Sequence, residues 1–311
     1  MGGNLGTLTA MRTLAVIIIS WNVRELLDRC LAALQGDLTH TAAQAQVWVV
    51  DNASSDGSET LVREKYPWVR LETPGENLGF VRGNNLILNR LRAGKLPDYV
   101  WLLNPDTEVQ PGATQTLLDF FTAHPRAGLA GPKLLNPDGT LQQSAFRFPG
   151  LLQPLFDLGL LPARFYQSRW NGRYALSHYA KGRPFRVDHP LGAALMARSD
   201  ALAQVGPLDE QFFMYCEEID WAWRMRKAGW QSWLVPAAEV LHHGGASTGQ
   251  ARPQTTAYLW ESRARLYRKH CGALTRALVG AAVRRHFSRR HAATSPEWET
   301  AHRRIVAAWS A

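Results

Sequence analysis

The sequence predicts an α/β fold, a mostly parallel sheet with flanking helices, followed by a helical, basic C-terminal segment. Three observations predict it. Short apolar runs of strand length alternate with stretches of helical spacing through the first half of the chain. Carboxylate and amide residues stand at the ends of those runs. The surplus positive charge is confined to one stretch near the C-terminus.

Leu14–Ser20 (LAVIIIS) is a β-branched run that predicts the first strand. Asn22–Leu34 has helical spacing, with Leu26, Leu27, Cys30, Leu31 and Leu34 on one side. Val47–Asp51 is a second strand, and Asp56-Gly57-Ser58 supplies turn and cap chemistry for a helix through Tyr66. Val69–Glu72 is a short third strand, Phe80–Arg92 a helix, and Tyr99–Leu103 a fourth strand followed by Asn104-Pro105-Asp106. Repeated β-α-β units imply a parallel sheet covered by helices, and ligands of such sheets sit at the carboxyl ends of the strands. The second half is less regular. Phe146 to Arg186 reads as a long loop with one short helix, Gly192–Ala197 as a buried strand and Glu217–Ala228 as a helix closed by Gly229. Trp230–Val235 reads as a strand, and Thr255–Lys269 and Ala273–Phe287 as helices.

The 311 residues suffice for one large α/β domain or two small ones. A hydrophobic content of 46% and an aromatic content of 10% are those of a globular chain. The three cysteines, Cys30, Cys216 and Cys271, are far apart and form no C-x-x-C. A disulfide framework and a cysteine zinc site are disfavoured, and a reducing cytoplasm is the simplest compartment. No apolar run approaches the roughly 18 residues of a membrane span, and the first ten residues do not read as a secretory signal.

Several residues at the strand ends suit chemistry. Asp51 ends the second strand and Asp106 follows the fourth, so both emerge on one edge, joined by Ser20 and Asn22 after the first strand. Two carboxylates there suit a nucleoside diphosphate, one accepting from a base N–H and the other holding a divalent cation against the phosphates; turn-forming Asp and Asn are the plain alternative. In Asn77–Asn85 (NLGFVRGNN), Gly79 and Gly83 allow close backbone approach at a helix N-terminus. A dinucleotide G-x-G-x-x-G is absent after every strand, which disfavours hydride transfer. Glu217, Glu218 and Asp220 cluster after the aromatic run FFMY; they either cap a helix or include a raised-pKa general base. Arg224 and Arg226 follow on the same helix as partners for acids or phosphate. Of the adjacent His242 and His243, only one can face a given site from a strand.

These motifs together resemble the family-two glycosyltransferases of the GT-A fold, and among them the bacterial rhamnosyltransferase-like group. The resemblance runs from about Leu14 to about His270 through SWN (Ser20–Asn22), VVDNASSDGS (Val49–Ser58), ENLGFVRGNN (Glu76–Asn85), LLNPDTEV (Leu102–Val109), GPLDEQFFMYCEEIDWAWRMRKAGW (Gly206–Trp230) and HHGGAS (His242–Ser247). It implies that Asp51 binds a pyrimidine base, that Asn77, Gly79 and Asn84 line the nucleotide or sugar, and that Asn104-Pro105-Asp106 takes the place of the family's D-x-D. Asp106 would then reach a Mg²⁺ or Mn²⁺ ion and the diphosphate, with His242 beside them. Glu217–Glu218 matches a Glu-Asp pair whose second acid is the usual catalytic base. Two departures stand out: the D-x-D place keeps only its last acid, and the base is Glu instead of Asp, so either Glu218 adjusts its reach or the role passes to Glu217 or Asp220. The implied reaction is an inverting transfer of a sugar, rhamnose from its deoxythymidine diphosphate donor, onto a glycan or lipid-linked glycan. The implied layout is a disordered lead (1–12), a catalytic domain (13–250) with a nucleotide-binding half (13–110) and an acceptor-side half (111–250), and a helical basic segment (251–311).

Two other classes compete. A nucleotidyltransferase would share the acidic α/β half but wants a glycine-rich basic loop after the first strand, where this chain has Ser20-Trp21-Asn22-Val23-Arg24-Glu25. A nucleic-acid-binding protein would use the basic tail but leaves the acids unexplained. Between Ser262 and Pro296 stand nine Lys or Arg and no acid, which accounts for the whole net charge of +9. Tyr267, Leu274, Leu278, Val279, Ala282 and Val283 recur there at near-helical spacing. The stretch is either a helix lying on an anionic membrane, which would place the enzyme peripherally at the inner face, or a helix docked on the main domain.

Overall fold

A computed structural model of the protein describes residues 11–244, 252–289 and 295–310. The expected lead, apart from Met11 and Arg12, and Gly245–Ser247 of the glycine turn lie outside the described residues. The first elements follow the expected order: β1 (Arg12–Ser20), α1 (Arg24–Leu38), β2 (Ala43–Asp51), α2 (Ser58–Lys65), β3 (Arg70–Glu72), α3 (Gly79–Ala93) and β4 (Tyr99–Leu103). β1 begins at Arg12, inside the expected lead, because its backbone pairs with Ala43 of β2.

Next come five elements that the sequence did not announce: β5 (Thr107–Val109), α4 (Ala113–Ala123), β6 (Ala127–Leu135), β7 (Leu141–Gln142) and β8 (Ala145–Phe146). The expected long loop contains α5 (Leu152–Asp157), α6 (Leu176–Ala180) and β9 (Phe185–Val187). β10 (His189–Pro190), β11 (Ala194–Arg198), α7 (Ser199–Val205), α8 (Glu217–Lys227) and β12 (Gln231–His242) complete the sheet region, and α9 (Arg252–His270), α10 (Ala273–Arg289) and α11 (Pro296–Ala308) follow.

The main sheet runs β3-β2-β1-β4-β11-β6-β12-β5, with β7 on β6 and β9 on β12. β3, β2, β1 and β4 are mutually parallel, whereas β11 runs antiparallel to β4 and β6. The apolar run of β1 explains its central place, since a strand buried on both faces has no polar side to show to water. Its side chains alternate strictly. Leu14, Val16 and Ile18 pack with Leu27 and Leu31 of α1 and Phe121 of α4; Ala15, Ile17 and Ile19 pack with Val81 of α3 and Trp221 of α8.

β12 extends well past Val235, the expected end. Its pairing with β6 shifts register between Val235 and Glu239, around Pro236, which has no N–H to give the ladder. Beyond the shift it continues beside β5, with His242 opposite Thr107. That extension brings His242 to the loop after β4.

Part of the apolar stripe of the C-terminal helices packs inside the protein, the second of the two expected placements. Tyr267, Val279 and Val283 are buried with Trp260, Ile305 and Trp309 in a core of their own, leaving Leu274 and Leu278 exposed. Several of the cations are also committed, Arg263 to Asp157, Lys269 to Asp209 and Asp220, and Arg284 to the Trp309 carbonyl. α9 is anchored to the sheet region by Ser262 Oγ donating to Met214 O at 2.8 Å and by Tyr267 OH donating to Gly150 O. No described helix is long and apolar enough to cross a membrane.

Candidate active site

The register of the parallel strands sets the site. Ser20 pairs with Asp51, and Ile18 with Leu103, so the ends of β1, β2 and β4 form one edge. Four described residues other than glycine have positive φ: Asn22, Ala53, Tyr215 and Cys216. The first two follow β1 and β2; the other two directly precede the acids of α8. Such backbone is costly for residues with a Cβ and persists where surrounding structure enforces it, often at functional sites.

At the first edge, Asp51 is nearly fully buried and holds the Ser54 hydroxyl and backbone N–H. Burial raises its pKa against those hydrogen bonds. Asn22 Oδ1 accepts from Ser55 N at 2.8 Å, so the side chain stitches the two loops together. Asn77 Oδ1 accepts from Gly79 N at 2.9 Å and so fixes the entry to α3. Gly79 has φ +73°, and a Cβ there would meet the Phe213 ring at 2.6 Å, so both conformation and space demand glycine. Asn77 and Gly79 line a cleft of about 350 Å³ with Trp21, Asn52, Phe213 and Tyr258. Ser20 and Asn84, expected at the ligand, are both 0% exposed. Asn84 sits on the sheet-facing side of α3 and donates to Phe80 O, so both residues lie beneath the surface.

Beyond β4, Asn104 is half-buried and its N–H donates to Ala193 O at 2.8 Å. Asp106 Oδ1 lies 3.4 Å from His242 Nε2. His242 Nδ1 is 2.6 Å from Gln142 Oε1, and Gln142 Nε2 donates to Asn136 Oδ1. That amide orientation makes Nδ1 the donor. With Nδ1 donating to Gln142, Nε2 faces a carboxylate oxygen, and the two atoms can present their lone pairs to a cation between them. One oxygen and one nitrogen donor fit Mn²⁺ well, and substrate phosphates and water would complete its shell. Among the described residues, no group of three or more His, Cys, Asp or Glu side chains is arranged to hold a metal alone. His243 points the other way and pairs with Glu108 at 2.8 Å, as strand alternation requires.

The acids of α8 separate into three roles. Asp220 is fully buried and bound by Arg224, Lys269 and His270, each at 2.7 Å. Although burial opposes ionisation, these partners draw its pKa down to about 2, which removes Asp220 as a candidate base. Arg226 pairs instead with Asp188 at 3.2 Å. Glu217 is buried, and burial followed by the neighbouring Glu218 charge lifts its pKa well above the usual carboxylate range. Glu218 is half-buried, opens on a second cleft of about 290 Å³, and is lifted by burial to about 7. Its Oε2 has no hydrogen-bond partner. The Glu218 stem lies against Gly192, where a Cβ would stand 3.3 Å from Glu218 Cγ. Gly192 is next to Ala193, which accepts from Asn104, so Glu218 stands beside the loop that carries Asp106.

A half-buried acid with its pKa raised to about 7 thus packs on Gly192, next to the residue that holds the loop carrying Asp106. The glycosyl transferase family 2 model matches residues 15–180. The chain belongs to that family. It is 36% identical over 245 residues, 76% of this chain and 78% of the relative, to the N-acetylglucosaminyl-diphospho-decaprenol L-rhamnosyltransferase of Mycobacterium tuberculosis. Among solved structures it resembles a mannosyltransferase from Pyrobaculum calidifontis in complex with GDP-Man and Mn²⁺, with TM-score 0.52 and 14% identity over 95% of this chain and 85% of that one. It also resembles TarS of S. aureus, with TM-score 0.53 and 13% identity over 96% and 80% of the two chains. The fold is therefore GT-A, and the protein is a glycosyltransferase.

Sequence reasoning missed Gln142, Ser54 and Gly192, which orient His242, Asp51 and Glu218. It also missed Arg173 and placed Arg263 in the tail, although both line the cleft beside Glu218.

Proposed function

We propose that this glycosyltransferase moves rhamnose, with inversion, from dTDP-rhamnose onto an N-acetylglucosamine carried on a lipid diphosphate. The observation that carries the catalytic reading is Glu218: half-buried, unpartnered at Oε2, titrating at about 7, and open to the cleft beside the Asp106 loop. The choice of donor and acceptor rests on the similarity to the mycobacterial rhamnosyltransferase.

Asp51 and Asn77 hold the nucleoside end of the donor, and Asp106 with His242 holds the cation. A bound Mg²⁺ or Mn²⁺ stabilises charge on the departing nucleoside diphosphate. Glu218 accepts the proton of the acceptor hydroxyl while the hydroxyl oxygen bonds to the anomeric carbon and the bond from that carbon to the diphosphate breaks. The product sugar carries the opposite anomeric configuration, and no residue becomes covalently attached.

The test is transfer from dTDP-rhamnose, UDP-glucose and GDP-mannose to a short-chain N-acetylglucosaminyl-diphospho-lipid with Mn²⁺. We expect rhamnosylated product from the first donor. Turnover with GDP-mannose instead would overturn the donor assignment.

A further inference from the structure

The cleft beside Glu218 contains two buried guanidinium nitrogens without an acceptor, Arg173 Nε and Arg263 Nη1. Arg173 follows the pair β8–β10 in space: its backbone bridges Phe146, and its guanidinium lies 4.5 Å from the Tyr166 ring and 5.7 Å from the Phe146 ring. Among the described residues no carboxylate makes an ion pair with it. Arg263 comes from α9 on the opposite wall, with Nη2 on Asp157 Oδ2 at 2.6 Å and its plane over Trp260. An unpaired guanidinium held between aromatic rings is costly to bury, and its fork geometry matches phosphate oxygens.

Asp157 balances Arg263, which leaves Arg173 and Arg147 as the cleft cations without an ion-pair partner among the described residues; His189 is held neutral by burial with its pKa lowered to about 4, and Glu218 is the acid already described. Most of the wall is apolar, including Phe146, Pro149, Pro154, Leu259 and Leu266. None of Asp51, Asn77, Gly79, Asn104, Asp106 and His242 lines it, so an anion bound there is not the donor's diphosphate.

We propose that this cleft is the acceptor subsite, and that Arg173 and Arg263 hold the diphosphate of a prenyl-diphosphate-linked sugar while the apolar wall takes the first isoprenoid units. The proposal rests on the acceptor class given above and locates it. Glu218 at the cleft wall faces the sugar end, and α9, α5 and the Phe146–Arg173 bridge enclose the diphosphate end.

The probe is geranyl diphosphate, titrated calorimetrically into the full chain saturated with dTDP and Mn²⁺ so that the donor site is filled. Arg173→Gln should weaken its binding tenfold or more while dTDP affinity stays within twofold, which also shows that the variant is folded. Geraniol should not bind, and inorganic pyrophosphate should bind more weakly than geranyl diphosphate. In transfer assays the same variant should raise the acceptor KM tenfold with kcat little changed. Equal binding of geranyl diphosphate to parent and variant, no binding to the parent, or pyrophosphate binding as tightly as geranyl diphosphate would overturn the assignment. Arg173-dependent binding without sugar transfer would uphold the diphosphate subsite and count against the enzymatic reading alone.

Discussion

The Asp106–His242 pair shows how one orientation at a single side chain decides the chemistry. Gln142 is anchored by Asn136, and its oxygen accepts a hydrogen bond from His242 Nδ1, which leaves Nε2 for the proposed cation. Partners of this kind typically change metal affinity by about 10–100-fold. Gln142→Leu should therefore weaken Mn²⁺ activation by about that factor while the nucleotide still binds. Unchanged Mn²⁺ dependence, read from activity against metal concentration, would remove His242 from the metal site. Asp106 was legible because it follows a strong strand. Gln142 was not, because it lies in a stretch of short strands with no periodicity and meets His242 only through β7 pairing with β6. Motif position suggested Ser20 and Asn84 as ligands; the packing of α3 on β1 leaves both 0% exposed, which the sequence did not show.

At the scale of elements, α8 was legible from its pattern, and the register of its acids could be read from the sequence. What divided their roles was invisible. Lys269 and His270 belong to a run that reads as surplus charge, yet they close on Asp220 and lock α9 to α8. Asp220→Asn would remove the buried carboxylate shared by Arg224, Lys269 and His270, while Lys269 keeps Asp209, at a cost of about 3 kcal/mol. The folded pKa of about 2 lies below the value of 3.8 for a free aspartate, so the group stabilises the fold above about pH 4 and loses that contribution as pH falls toward 2. Thermal unfolding should show a lowered Tm at pH 7 for the variant and a smaller difference at pH 2. An unchanged Tm at pH 7 would show that the cluster holds nothing in place.

At the scale of the molecule, the parallel half was legible because each strand is a continuous apolar run with a helix after it. The other half was not, because β5, β7, β8, β9 and β10 are two or three residues long, and all but β7 owe their existence to partners far away in sequence. The tail stayed open between two readings for a related reason: spacing cannot tell a stripe that packs on the protein's own helices from one that meets a membrane. The central claim of the proposed function is that Glu218, at the wall of the proposed acceptor cleft, is the catalytic base. The most direct measurement of that claim is kcat for Glu218→Gln against the parent, across pH, with dTDP-rhamnose and the diphosphate-linked acceptor. The account predicts a loss of about 10²-fold or more with donor KM within twofold. It also predicts that the parent's activity falls as pH drops below about 7, where Glu218 takes up its proton. Near-parental turnover by the variant, or a parental rate that does not change between pH 5 and pH 8, would contradict it.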